Sequence, residues 1–376
     1  GNFGGNLSNG GERIALARPE VLTTTNSAGV PVSSRVFVTV AEVRYHDGGR
    51  WGRWSDGDGS SLELLDPRAA DGLAPQWGDS DETAKGGWTK VDFSRRLELG
   101  RGAATELHVM LLGAGECLLD DVEVRDASGA SLVLNGSFEG GLDGWIAQGN
   151  HVASGLADRG FESGRSLHLR ASSGGDNGAN RIKTVLNGGA LLEGSFATFR
   201  ARVRWLRGHP DLLLRLKGNY LETVLHQPVP PNLGTPGAVN SRRLANAGPA
   251  IVDVAHFPVV PAAMEPVRVT ARVQDPDGLR SFRLKFRYDP SVTVNELELR
   301  DDGTGGDVVA GDGIHTAVIP GQAASVLVAF WIEAVDGALV PASAMFPAEP
   351  ALGECLVRFG EQIPAGSFGT YRLWMT

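Results

Sequence analysis

The stretch Asp301-Asp302-Gly303-Thr304-Gly305-Gly306-Asp307-Val308-Val309-Ala310-Gly311-Asp312-Gly313 sets four aspartates among glycines. Calcium takes roughly six to eight oxygen ligands from carboxylates and carbonyls, in a loop flexible enough to fold around it. Asp301, Asp302, Asp307 and Asp312 therefore form a candidate calcium loop. The spacing is not that of an EF-hand, because the twelfth position holds an aspartate instead of a glutamate. The competing reading is an Asp-Gly turn pair between two strands, with each aspartate bonding its own backbone.

A second chemistry is sugar recognition, which needs an aromatic ring for the C–H face and planar polar groups for the hydroxyls. Trp145, His151, Trp205 and Tyr220, with Arg202 and Arg204, supply those types. Core packing competes strongly for Trp145 and Trp205, since buried tryptophans are mostly structural in β-sandwiches. Trp51 and Trp54 flank Arg50 and Arg53, which reads as an exposed patch or as cation–π packing. Catalysis has little support. The eight histidines are scattered without zinc spacing, and there is no Gly-x-Ser-x-Gly elbow. Gly303-Thr304-Gly305-Gly306 lacks the lysine and the strand–helix context of a phosphate loop. Asp176 and Asn177 with Asn180 and Arg181 make a polar loop but no acid–base pair.

The elements that must position these residues are strands. The chain has 376 residues with 51 glycines and 20 prolines, and short β-branched runs with no sustained helical period. This predicts an all-β protein of tandem β-sandwiches. Net charge is −9 and the pI about 5.4, which excludes attraction to nucleic acid or anionic lipid. No apolar run is long enough for a membrane-spanning helix, so no membrane insertion is expected. Cys117 and Cys355 fall in different predicted domains, so both are expected as small buried apolar residues without a disulfide. The chain opens without Met or a secretory leader, and the expectation is a fragment of a larger secreted protein. Ser166–Ala171, Phe196–Trp205 and Leu212–Lys217 alternate apolar with polar residues. If they are neighbours, Arg200, Arg202, Arg204, Arg215 and Lys217 make one basic face. Arg35–Tyr45 alternates only in part, as a strand does when both faces are partly covered. Val267–Val273, Ser281–Tyr288 and Ser325–Asp336 mark a further sandwich, with the last as its penultimate strand.

Several stretches resemble known families. Leu132-Val133-Leu134-Asn135-Gly136-Ser137-Phe138-Glu139-Gly140-Gly141-Leu142-Asp143-Gly144-Trp145 resembles the opening of bacterial jelly rolls of the carbohydrate-binding-module type. Trp88–Phe93 with Leu118–Val124 resembles their closing strands. The order here is reversed, so 86–225 reads as a circularly permuted jelly roll. In that family the glutamate of the opening and an aspartate of the closing strand share a structural calcium. The resemblance thus implies Glu139 with Asp120 and Asp121 as ligands, against a bland reading of acids bonded to backbone at a strand edge. As a paired-carboxylate glycosidase dyad they are less well explained. Residues 1–85 resemble the later strands of a lamin-tail immunoglobulin-like domain, interrupted by the jelly roll and completed by 226–243, where Leu233–Ser241 resembles that family's closing signature. Residues 246–348 resemble an immunoglobulin- or fibronectin-like domain. Glu354–Gly360 and Gly369–Met375 look like the start of a further domain over 349–376.

This order is similar to the region preceding the kinase-like domain of secreted bacterial spore-coat-H-type proteins. It implies a non-catalytic scaffold or adhesion region, outside the cell or on its surface, calcium-stabilised and self-associating or bound to another surface protein. Glycan binding through the jelly roll is one alternative. An accessory role to a kinase-like enzyme lying beyond residue 376 is the other.

Overall fold

The computed structural model describes residues 6–175, 179–351, 353–362 and Trp374. The polar pair Asp176 and Asn177, and the strand expected over Gly369–Met375 apart from Trp374, lie outside them. Among the described residues the fold is antiparallel β-sheet with two single-turn 3-10 helices, Ala74–Gln76 and Gly149–His151, and no α-helix. The all-β, tandem-sandwich expectation holds. The chain splits into two compact units, one of Arg53–Leu62 and Asp79–Ser241, the other of Gly1–Gly52, Glu63–Gly78 and Arg242–Thr376.

Strands β1 (Arg13–Thr25) and β2 (Pro31–Arg44) form a long two-stranded ribbon. Asn26 closes its turn by accepting Ala28 N at 3.0 Å and Val30 N at 2.9 Å through Oδ1, while Gly29 takes φ +75°. At the base, Arg13 makes two 2.6 Å hydrogen bonds to Glu42. The partial alternation of the second strand implied partly covered faces. Instead, nearly every ribbon residue is exposed, because among the described residues no third strand pairs with it. Two three-residue strands follow and pair with each other, β3 (Leu62–Leu64) and β4 (Trp77–Asp79).

The next ten strands build a sandwich: β5 (Trp88–Arg96), β6 (Glu106–Leu111), β7 (Gly115–Arg125), β8 (Trp145–Gln148), β9 (Gly155–Ala157), β10 (Ser166–Ala171), β11 (Arg181–Val185), β12 (Phe196–Gly208), β13 (Asp211–Lys217) and β14 (Glu222–His226). One sheet runs β5-β12-β7-β10-β9, the other β14-β13-β6-β11-β8. Leu119, Leu167 and Phe199 from the first sheet meet Leu107, Val109 and Leu214 from the second in one core, joined by Phe138. Ser131–Gly136 runs back along β7, with Leu132 N donating to Val124 O at 2.8 Å and Val122 N to Gly136 O at 2.9 Å. A side chain at 136 would lie 2.0 Å from Val122 O, so only glycine fits there. The expected single basic face does not form. Arg200, Arg202 and Arg204 lie on β12 in one sheet, Arg215 and Lys217 on β13 in the other. Chain reversal at Gly208–Pro210 carries consecutive strands into different sheets. Leu233–Ser241 returns against earlier chain in this unit, with Gly234 N on Glu82 Oε1 at 3.0 Å and Asp81 N on Ser241 Oγ at 2.7 Å.

The other unit holds a second sandwich: β15 (Ala250–Phe257), β16 (Val267–Gln274), β17 (Leu279–Tyr288), β18 (Asn295–Glu298), β19 (His315–Ile319), β20 (Leu327–Asp336), β21 (Ser343–Phe346) and β22 (Cys355–Arg358). The sheet β15-β16-β19 faces β18-β17-β20-β21 over a core that includes Ile251, Val269, Leu284 and Phe330. Two short strands share one side of β20: β21 pairs with Ile332–Val335 and β22 with Leu327–Phe330. This corrects two expectations. Ser325–Asp336 is not the penultimate strand, and Cys355–Arg358 does not open a new domain. It completes this sandwich because Val357 and Phe359 are fully buried in its core. Phe359→Ala is expected to destabilise the unit by about 3–5 kcal/mol in denaturant unfolding; a change within about 0.5 kcal/mol would detach the strand from this core.

Candidate functional site

Asp301, Asp307 and Asp312 come together in the loop between β18 and β19, with one carboxylate oxygen of each within 4.8 Å of the others. The loop's own amide groups hold them. Asp301 accepts Gly311 N at 2.8 Å, Asp312 N at 3.1 Å and Gly313 N at 3.0 Å. Asp307 accepts Gly303 N at 2.7 Å, and Asp312 accepts Ile314 N at 2.9 Å. Asp302 stands outside the trio and bonds Thr304 N and Oγ1 at 2.9 and 2.6 Å. The turn reading and the cation reading thus apply to the same carboxylates: the three converge, and each already accepts backbone hydrogens.

Asp120 is fully buried on β7. Its Oδ1 accepts Asp121 N at 2.8 Å, and its Oδ2 accepts Phe161 N at 2.7 Å and Ser163 Oγ at 2.9 Å. Glu139 reaches the same loop and accepts Arg165 N at 2.7 Å. Calcium needs oxygens around it, and these two carboxylates face N–H and O–H donors. As found, the pair fits strand-edge capping better than a metal shell. Asp121 stands at φ +48° with its surface largely open, and the partial desolvation its carboxyl does meet, followed by the neighbouring Asp120 charge, raises its pKa.

The sugar candidates do not share a platform. Trp145 is buried against Phe138, with ring centroids 5.2 Å apart, and donates Nε1 to Asn135 O at 3.2 Å. Trp205 is buried and donates Nε1 to Gly208 O at 2.9 Å. His151 is fully buried. These three are therefore core residues, as hydrophobic burial with a satisfied polar tip dictates. Arg204 donates to Thr83 O at 3.0 Å. Arg202 lies over the Phe161 ring at 4.1 Å and lines a 590 Å³ groove with Lys90, Asp121, Glu123 and Arg200. Tyr220 is 63% exposed, but it sits on the β13–β14 turn of the opposite sheet. Trp54 resolves toward cation–π packing, with the Arg53 and Arg207 guanidinium groups 5.0 and 5.7 Å from its ring. Cys117 and Cys355 are both free; Cys117 is buried and Cys355 half-buried. Burial raises both thiols, Cys355 to about 11, so neither is a ready nucleophile.

Sequence reading missed the outer face of β6. His108 is flanked across the ladder by Lys183 and Arg215, and its Nε2 lies 2.9 Å from Glu106 Oε2. Lys183 Nζ lies 3.2 Å from Glu106 Oε1. Burial pushes the Glu106 carboxyl up, but its bonds to His108 and Lys183 outweigh this and bring it down to about 2. Burial lowers the His108 pKa. The one available signal was Glu106 and His108 two apart in a strand, but Met110 hides the alternation.

No protein-family model matches the chain, and none of the curated proteins matches it.

His151 Nε2 accepts Leu111 N at 3.0 Å, so its proton sits on Nδ1, facing Asn150. Burial lowers its pKa to about 4. An unfolded histidine takes up a proton near pH 6.5. Stability should therefore fall as pH drops from about 6.5 to about 4, by up to about 3 kcal/mol. Glu106 adds loss only in a lower window, from its ordinary range down to about pH 2. Denaturant unfolding at pH 7 and pH 5 checks this, and His151→Gln is expected to flatten the slope between them.

Proposed function

We propose that the chain is a non-catalytic extracellular or cell-surface scaffold of tandem β-sandwiches. The reading rests on its resemblance to the lamin-tail, jelly-roll and immunoglobulin-like region of secreted spore-coat-H-type proteins. The observation that carries it is the commitment of the chemistry-bearing side chains to the fold. Asp120 holds a loop through two hydrogen bonds and takes the Asp121 amide on its own strand, His151 caps a strand amide, and Trp145 and Trp205 fill space. Groups so engaged are poor candidates for turnover or for gripping a ligand. Purified residues 1–376 are expected to show no ATP turnover and no binding on a broad glycan array. Measurable turnover would place catalysis in this chain and overturn the scaffold reading.

Glycan binding is the second reading, favoured by the row of Glu106, His108, Lys183 and Arg215 on the outer face of one sheet. A carboxylate, an imidazole, an ammonium and a guanidinium side by side suit a polyhydroxylated or acidic saccharide. Array binding abolished by Lys183→Ala and Arg215→Ala would move the assignment there.

Calcium at Asp301, Asp307 and Asp312 is part of the scaffold proposal, as a tie between strand ends. Calcium at 100 times its dissociation constant would add about 2.7 kcal/mol. The expected result is a higher Tm with calcium and a lower one with chelator, with both shifts lost in Asp307→Asn. No shift with the wild-type chain would remove the metal from the proposal.

A further inference from the structure

The ribbon of β1 and β2 is physically incomplete. A two-stranded ribbon standing alone is marginally stable in water, and a third strand or a packed face is needed to hold it. Along β1 the even positions share one face: Ile14, Leu16, Arg18, Glu20, Leu22 and Thr24. The register places Val43, Ala41, Val38, Val36, Ser34 and Val32 opposite them, with Val40 as the extra residue of a bulge. That face is mostly apolar around the central Arg18 and Glu20, with Thr24 and Ser34 toward the turn, yet Leu16 is 66% exposed and Leu22 51%. An exposed apolar face of this kind marks an interface.

The edges are poor templates for an added strand. Pro19, in the middle of β1, has no N–H to donate, and the bulge between Leu16 and Ala17 breaks the ladder. The face is therefore the surface left to cover.

We propose that a second copy of this chain covers it, the two ribbons stacking face to face about a two-fold axis along the Pro19–Phe37 cross-strand pair. That operation sets residue i of β1 against residue 38 − i of the other copy, which follows from centring on position 19. Leu16 then meets Leu22, Val38 meets Val36 on β2, and Arg18 meets Glu20 of the second copy. Charges of opposite sign thus meet at the centre of an apolar patch, where isologous symmetry requires self-complementarity. Within one copy Arg18 and Glu20 already bond each other, so the two pairs join into a four-charge cluster. Charge placement of this kind fixes register more than it adds affinity. The inference deepens the scaffold reading, of which self-association is one part, but is tested separately: the glycan and turnover tests can fail while this one succeeds.

Sedimentation velocity on the full 376-residue chain, across a concentration series, tests it. The expected result is a concentration-dependent dimer. Arg18→Glu puts four carboxylates at the centre and should weaken the dimer about tenfold or more. Arg18→Glu with Glu20→Arg restores opposite signs and should recover it. Leu16→Asp should abolish it. All three substitutions lie on an exposed ribbon, so an unchanged unfolding transition of the sandwiches shows that the variants fold. A monomer at every concentration overturns the proposal, as it would if another segment or protein covers the face. A dimer indifferent to Leu16→Asp and Arg18→Glu also overturns it, because its interface then lies elsewhere.

Discussion

Loop amides without a strand partner are the constraint on which both units depend. A chain of short strands leaves many N–H groups outside the ladders, and a buried one without an acceptor costs about as much as a lost hydrogen bond. This protein supplies the acceptors from its 44 acidic residues. Asp120 takes two backbone amides, and Glu193 takes Gly100 N and Gly102 N at 2.7 and 2.6 Å. In the other unit Asp336, fully buried, takes Ala338 N and Ala342 N at 3.0 and 2.9 Å and the Asn246 side-chain amide at 2.7 Å. Burial pushes the Asp336 carboxyl up, and these bonds more than offset it, so its pKa is lowered. Several of the acids therefore function as internal caps.

That constraint explains why acidic clustering in the sequence is a weak guide to metal. The same Asp-Gly spacing that would wrap a cation also lets each aspartate bond amides a few residues on. Asp301 holds Gly311, Asp312 and Gly313 in this way. Asp66 likewise takes Arg68 N and the Arg68 guanidinium. Composition alone does not separate the two uses, because both need the same residues at the same spacing. The difference lies in whether oxygens or hydrogens surround the carboxylate, and that is set by backbone direction in three dimensions.

Strand positions were legible where one face is buried and the other wet. Ser166–Ala171, Phe196–Trp205 and Leu212–Lys217 alternate, and they are β10, β12 and β13. β6 carries five buried residues out of six, so it has no alternation to read. Sheet membership was not legible either. β12 and β13 are separated by His209 and Pro210 alone yet belong to different sheets, because the partners that fix each sheet come from distant sequence: β5 and β7 for one, β6 for the other. The inward placement of three sugar candidates was not legible for a related reason. Trp145, His151 and Trp205 have side chains that suit a ligand or a core equally well, and the fold buries all three, the tryptophans on strands and His151 on a 3-10 turn. The same nonlocality hid β22, whose pattern read as a beginning although its partner is β20.

Periodicity tells that a strand has an apolar face; it does not tell what lies against that face. Val203 on β12 and Val38 on β2 sit in comparable β-branched, alternating surroundings, yet the first is fully buried and the second 42% exposed. The difference is the second sheet, present over β12 and absent over β2 among the described residues. A burial of about 25 cal/mol per Å² is realised only when such a layer exists. An uncovered ribbon also retains the whole entropy cost of ordering its backbone, against cross-strand pairs that each contribute only about 0.2–1 kcal/mol. Arg13–Glu42 at its base and the Asn26 turn at its tip fix where the strands meet, but neither removes apolar surface from water. The stability of the ribbon therefore has to come from outside the pairing of its own two strands.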